Sequence, residues 1–229
     1  MDGYASRQLA LVKSIEEQFK AGKSPSTIVD PVSDYETDER ICLTALTYLP
    51  SKLQEKIYEE IVEPLKKIDN RQYFYESPAL HITVQNVRVI NNPPHFTKDD
   101  IEKAGKVFKE AVAKHGPLRV EIQRIFELPT SFALSAFTTF EWEEFVFDLR
   151  IQLEKAGVPD DKSYAPGPVL ANTTICRYTT PPNEEFIYKL EKLKEIRIGS
   201  FDVKNIALVT TNAVSLPSKT TIIEEYNLG

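Results

Sequence analysis

His81-Ile82-Thr83-Val84 and Asn172-Thr173-Thr174-Ile175-Cys176-Arg177 carry the same polar–apolar alternation at two distant places in the chain. Side chains alternate across a β-strand, so His81 and Thr83 share one face while Leu80, Ile82 and Val84 point to the other. The same alternation pairs Asn172 with Thr174 and sets Ala171, Thr173 and Ile175 opposite them. Carried further, it puts Cys176 on the Asn172 face and Arg177 on the other, so Arg177 reaches the Asn172 side only by bending over the strand end. If the two strands face each other across a cleft, they outline a two-histidine site with an amide in place of the second imidazole.

Outward from these strands, helical and extended patterns alternate. Leu9, Leu11, Val12, Ile15 and Phe19 predict a helix over 5–22, ended by Gly22, followed by a polar, proline-containing linker to residue 38. A strand over 41–49 stops at Pro50, and Ser51 is placed to cap a helix over 52–68. The first tetrad lies in a strand over 79–90. Thr97 is placed to cap a helix over 98–114, and consecutive strands over 118–126 and 131–138 turn near Pro129. A helix over 141–156, a loop over 159–168, the second-tetrad strand over 169–178, a helix begun by Asn183, and strands over 200–210 and 218–226 complete the chain. The expected class is α+β: two pseudo-symmetric lobes with mixed or antiparallel sheets flanking a central cleft, over 39–229, with 1–38 appended as helix and linker. The helix over 5–22 has an apolar stripe fit for packing on its own body or on a second copy. Oligomeric state is not legible.

Composition narrows the function. An apolar fraction of 41% supports a core, and no apolar run approaches the roughly 20 residues that span a bilayer. Met1-Asp2-Gly3-Tyr4 has no basic stretch leading into an apolar one, and Cys42 and Cys176 lie within apolar runs, so a cytoplasmic protein with buried thiols is expected. A net charge of −6 works against capture of long duplex nucleic acid but leaves room for a local basic pocket. With three histidines in the chain, no His-rich metal site is expected, and no cofactor either.

An imidazole beside hydroxyls suits proton transfer at a phosphate ester, with an arginine to hold the non-bridging oxygens. A His-x-Thr strand is equally what a half-buried histidine with an ordinary hydrogen bond looks like. His95 reads as an exposed loop residue, and His115 as a helix-end residue bonding the last carbonyls. Tyr178 and Tyr226 are candidate cleft or rim aromatics. Tyr73-Phe74-Tyr75 offers rings for stacking on a base and reads more simply as core and loop packing at the entrance to the first motif strand. Glu141, Glu143 and Glu144 read as a solvated helix start.

With the strand–helix order and both tetrads in view, the chain resembles the 2H phosphoesterase superfamily, which includes RNA 2′,3′-cyclic phosphodiesterases described as 2′-5′ RNA ligases. The resemblance covers about 39–229. His81-Ile82-Thr83-Val84 fits the first family motif; Asn172-Thr173-Thr174-Ile175, followed by Arg177, looks like the second with Asn172 at the histidine's position. The resemblance implies that His81 transfers a proton and that Thr83, Asn172, Thr174 and Arg177 bind substrate phosphate. Its implied partner is a nucleotide or RNA terminus bearing a phosphate. An asparagine cannot exchange a proton at neutral pH, and losing one of two such groups costs ~10²–10⁴-fold. Three outcomes follow: a slow hydrolase of 2′,3′-cyclic phosphates or related phosphodiesters, an enzyme of altered chemistry, or a catalytically inactive cleft that binds a nucleotide or RNA terminus.

Overall fold

The computed structural model describes residues 3–23, 28–162, 164 and 166–229; linker positions 24–27 and loop positions 163 and 165 lie outside the described residues. Among the described residues the elements run α1 (Gly3–Lys20), β1 (Ile41–Tyr48), α2 (Ser51–Ile57), α3 (Glu63–Ile68), β2 (Tyr73–Phe74), β3 (His81–Asn91), α4 (Lys98–Val112), β4 (Leu118–Leu128), β5 (Ser131–Thr138), α5 (Phe140–Lys155), β6 (Ala171–Arg177), α6 (Glu184–Lys192), β7 (Arg197–Val203), β8 (Asn205–Thr211) and β9 (Thr221–Asn227). They form a four-stranded sheet, β3-β1-β8-β9, and a five-stranded sheet, β2-β6-β5-β4-β7. Every pairing is antiparallel. This is the expected α+β architecture, and β3 and β6, the two motif strands, contact each other between the sheets.

The helices cross over. Although α2 follows a strand of the four-stranded sheet, it packs on β7 of the five-stranded one, and α5, which follows β5, packs on β3. Gly199 permits the first contact: a Cβ there would lie 2.9 Å from Leu53 Cδ2, and its φ is +150°. Between α2 and α3 the backbone widens into a π-helical turn over Tyr58–Val62. Ile57, Ile61 and Leu65 recur every four residues, a spacing that drifts around a 3.6-residue helix; the wider turn takes up the drift, and all three are fully buried.

Thr97 forms a reciprocal capping box with Asp100, and the Asn183 side chain accepts the Phe186 amide, as their positions predict. Ser51 does not cap. The helix starts on it, preceded by Pro50, and the Gln54 amide group donates to the Leu49 carbonyl at 2.7 Å. The single strand expected over 200–210 is two strands, because the chain leaves one sheet for the other at Lys204. Residues facing the main core change parity there, from Val203 to Ile206 and Leu208, while Ala207 and Val209 bury on the other face of β8. The final strand starts at Thr221, after a 3₁₀ turn over Pro217–Lys219.

Helix α1 packs on its own body. Gln8, fully buried, donates to Thr138 Oγ1 at 2.8 Å and the Val169 carbonyl at 2.9 Å, and accepts the Thr138 amide at 3.0 Å. Glu16 accepts from Arg124 at 2.9 Å, where β4 bulges and Arg124 takes a φ of 58°. Val12 buries against Phe126 and Ala133.

Candidate functional site

A bulge in β6 decides which way Arg177 points. Phe132 pairs with Cys176 and Ala133 with Thr174, leaving Ile175 as the extra residue. Ile175 and Cys176 both enter the core, and the alternation restarts one position later. Phe74, opposite Cys176, packs on Phe186 of α6, whereas Tyr73, opposite Arg177, packs on Tyr35. Arg177 therefore lies on the Asn172 and Thr174 face and Cys176 does not, the reverse of what strict alternation predicts.

Two tyrosines link that face to the first motif. Arg177 Nε donates to Tyr75 Oη at 3.1 Å and to the Ala213 carbonyl at 3.2 Å. The Tyr75 ring lies 6.2 Å from the His81 ring, and Tyr73 lies 6.0 Å from Tyr75. Tyr73-Phe74-Tyr75 is thus more than entrance packing: its first two residues are strand β2, and Tyr75 joins Arg177 to His81. A two-residue strand is too short to show a period, so the sequence pattern hides it.

His81 starts β3 with its Nδ1 2.7 Å from the Ala79 carbonyl. A carbonyl only accepts, so Nδ1 carries the hydrogen and the neutral ring keeps its lone pair at Nε2. Burial holds the His81 pKa below the ordinary histidine value; the Ala79 carbonyl opposes this and the Arg177 guanidinium adds to it. Burial works against the Arg177 charge, yet its pKa is raised overall beside the Tyr75 and Tyr35 oxygens, and a guanidinium is so strong a base that it stays charged. Thr83 is exposed, and Asn172 and Thr174 are half-buried. Each stands on a motif strand, and in the cross-strand register Asn172 sits opposite Ser135 and Thr174 opposite Ala133.

Helix α1 covers part of the same face. Ala133 belongs to the cluster around Val12, as do Phe126, its partner on β4, and Leu170, two residues before Asn172. Directly paired residues share a face, so the helix lies across the side of the sheet that carries the second motif. Ser135, opposite Asn172, is completely buried there.

Other candidates separate from this face. Tyr226 stacks on Phe108 of α4 and donates to Glu224, and Tyr178 packs edge-on against Phe186 of α6; neither is a cleft aromatic. Their residue type fits a rim or a core equally, and only the strand register separates the two. His95 is exposed, and His115 packs on Phe145. Glu143 is buried rather than solvated, accepting from Tyr4 Oη at 3.0 Å and the Val169 amide at 2.9 Å. Burial pushes the Cys42 thiol up to about 11, far from a reactive thiolate. Among the described residues no group of three or more His, Cys, Asp and Glu side chains is placed to hold a metal, and no helix is long and apolar enough to cross a membrane.

A cavity of roughly 280 Å³ opens where β1 ends, lined by Leu46, Tyr48, Ala207, Glu225 and the corner between β7 and β8. Sheet register places Leu46 beside Thr83 and Tyr48 beside His81, so the cavity adjoins the first motif.

No family model and no curated protein sequence matches the chain. Solved structures do. TT0787 of Thermus thermophilus superposes with a TM-score of 0.59 at 15% identity, over 82% of this chain and 97% of that one. A structure described as a phosphoesterase gives 0.55 at 13%, over 83% and 99%. E. coli LigT complexed with ATP gives 0.55 at 12%, and complexed with phosphate 0.52 at 13%, each over 83% and 99%. At these identities the likeness speaks for architecture. The chain is built on the 2H phosphoesterase fold.

Proposed function

We propose that the chain hydrolyses a 2′,3′-cyclic phosphate, or a related nucleotide or RNA phosphodiester, with His81 as its one imidazole. The observation that carries this is the hydrogen bond from Nδ1 to the Ala79 carbonyl, which leaves Nε2 free as a base beside a charged guanidinium. The LigT complexes with ATP and with phosphate, on the same fold, support a phosphorylated ligand.

In the scheme, Nε2 takes a proton from water as the water oxygen bonds to phosphorus. One ribose oxygen leaves, and the negative charge on the phosphoryl oxygens is met by Arg177 and by the hydroxyls of Thr83 and Thr174. The departing oxygen needs a proton. Asn172 donates a hydrogen bond to it without transferring one, so the proton comes from solvent and the reaction is slow. The cavity beside Leu46 and Tyr48 gives the nucleoside room next to His81.

Asn172 favours a second reading, in which the cleft binds a nucleotide or RNA terminus and does no chemistry. Turnover of a 2′,3′-cyclic nucleotide separates the two. Hydrolysis should fall ~10²–10⁴-fold in His81→Ala. Because the His81 pKa is lowered, the base stays neutral into mild acid, and the acid limb of the wild-type profile should lie below about pH 6.5. Turnover indifferent to His81→Ala refutes the mechanism; ligand-dependent thermal stabilisation without turnover supports the binding reading.

A further inference from the structure

The connection from β8 to β9 belongs to the four-stranded sheet, yet it reaches Arg177 on the five-stranded one. Asn212 shapes that connection. Its side chain is buried, and Oδ1 accepts the Val214 amide at 3.3 Å and the Leu216 amide at 3.0 Å. Nδ2 donates to the Tyr35 carbonyl at 3.0 Å, which ties the turn to the segment leading into β1. An asparagine that accepts the amides two and four residues on folds the chain back over itself. The Ser215 amide closes the turn on the Asn212 carbonyl at 3.2 Å, with Ser215 at a φ of 49°. Val214 and Leu216 enter the main core and hold the turn down.

Between Asn212 and Val214, the Ala213 carbonyl accepts twice. Arg177 Nε donates to it at 3.2 Å and Tyr75 Oη at 3.0 Å, and Tyr75 Oη also accepts from that Nε at 3.1 Å. The Nε edge of the guanidinium is therefore closed by a phenol and a carbonyl fixed to each other. Its other end is uncommitted. Among the described residues neither terminal amino group of Arg177 has a hydrogen-bond acceptor, and no carboxylate lies within ion-pair distance. A cation drawn out of water is ordinarily paired, because an unpaired charge in a low-dielectric interior is costly. Two amino groups in a rigid fork match two oxygens on one phosphorus.

We infer that Asn212 is a positioning residue for Arg177. By holding the Ala213 carbonyl against Nε and Tyr75, it orients the guanidinium so that both terminal amino groups meet two non-bridging oxygens of one phosphoryl group. The inference rests on the reading of the cleft as a phosphate site. It makes the orientation of Arg177 depend on the first sheet as well as on its own strand, through a residue outside both motifs.

The test follows the Arg177 Nε–H resonance of the ¹⁵N-labelled full chain at pH 6, assigned by its loss in Arg177→Gln. Binding of inorganic phosphate and of adenosine 2′,3′-cyclic monophosphate is measured alongside by calorimetry. Wild type should give a resolved Nε–H signal protected from exchange with water. Asn212→Ala should lose that protection and bind both probes about tenfold more weakly, as expected for one charged hydrogen bond lost. Asn212→Ser keeps a weaker acceptor for the same amides, so it should fold even where alanine does not and fall between the two in signal and affinity. Variants that lose thermal stability yet keep the protected signal and the wild-type affinity overturn the inference and leave Asn212 a structural residue. Wild type that binds neither probe overturns the phosphate reading of the cleft, while the Nε–H signal still decides whether Asn212 positions Arg177.

Discussion

The first motif stands on an edge strand and the second on an inner one. β3 borders the four-stranded sheet with Thr83 in solvent, whereas β6 is held between β2 and β5, and α1 packs on β4 and β5 on the side of the sheet that carries its motif. The chemistry divides in the same way. On the β3 side is an imidazole whose hydrogen bond leaves a base free; on the β6 side are an amide, a hydroxyl and a guanidinium fixed by a phenol and a carbonyl. In the proposed scheme, two strands with matching sequence patterns offer different things, proton transfer from one and charge recognition from the other. A fold with two-fold pseudo-symmetry does not oblige its site to be symmetric.

Restoring the missing imidazole challenges that division most strongly. If β6 still points at the leaving oxygen, Asn172→His should raise cyclic-phosphate turnover by about 10²-fold, the lower range for an added general acid. Steady-state assays check this. No gain, with phosphate binding intact, would mean that the β6 side has been rebuilt around binding. Loosening α1, which packs beside β6 on the same side of the sheet, gives a smaller effect. Gln8→Ala removes three hydrogen bonds and leaves the buried Thr138 amide unpartnered, so it should cost about 1–3 kcal/mol in denaturant unfolding. Because α1 packs on β4 and β5, away from β3, the His81 side should stay undisturbed in that variant.

Much of this architecture is legible in the sequence. His81-Ile82-Thr83-Val84 on a strand, the strand–helix order, and the caps at Thr97 and Asn183 all follow from local pattern, because alternation and capping are short-range physics. What escapes depends on register and long-range packing. The orientation of Arg177 turns on one extra residue in β6, which no period reveals. The passage from β7 to β8 at Lys204 joins two sheets through what reads as one strand. Glu143 reads as a helix-start charge, and its burial comes from Tyr4 and Val169, which are distant in sequence.

If the two motif strands form one phosphate site, His81 stands on one wall and Arg177 on the other. With three histidines in the chain, the imidazole resonances can be resolved and assigned by substitution, and inorganic phosphate can be titrated while they are observed. A shared site should give a saturable shift of the His81 ring signals, with His95 and His115 unmoved, and loss of that shift in Arg177→Gln. A shift confined to His95 or His115, or a His81 response that survives Arg177→Gln undiminished, would contradict it.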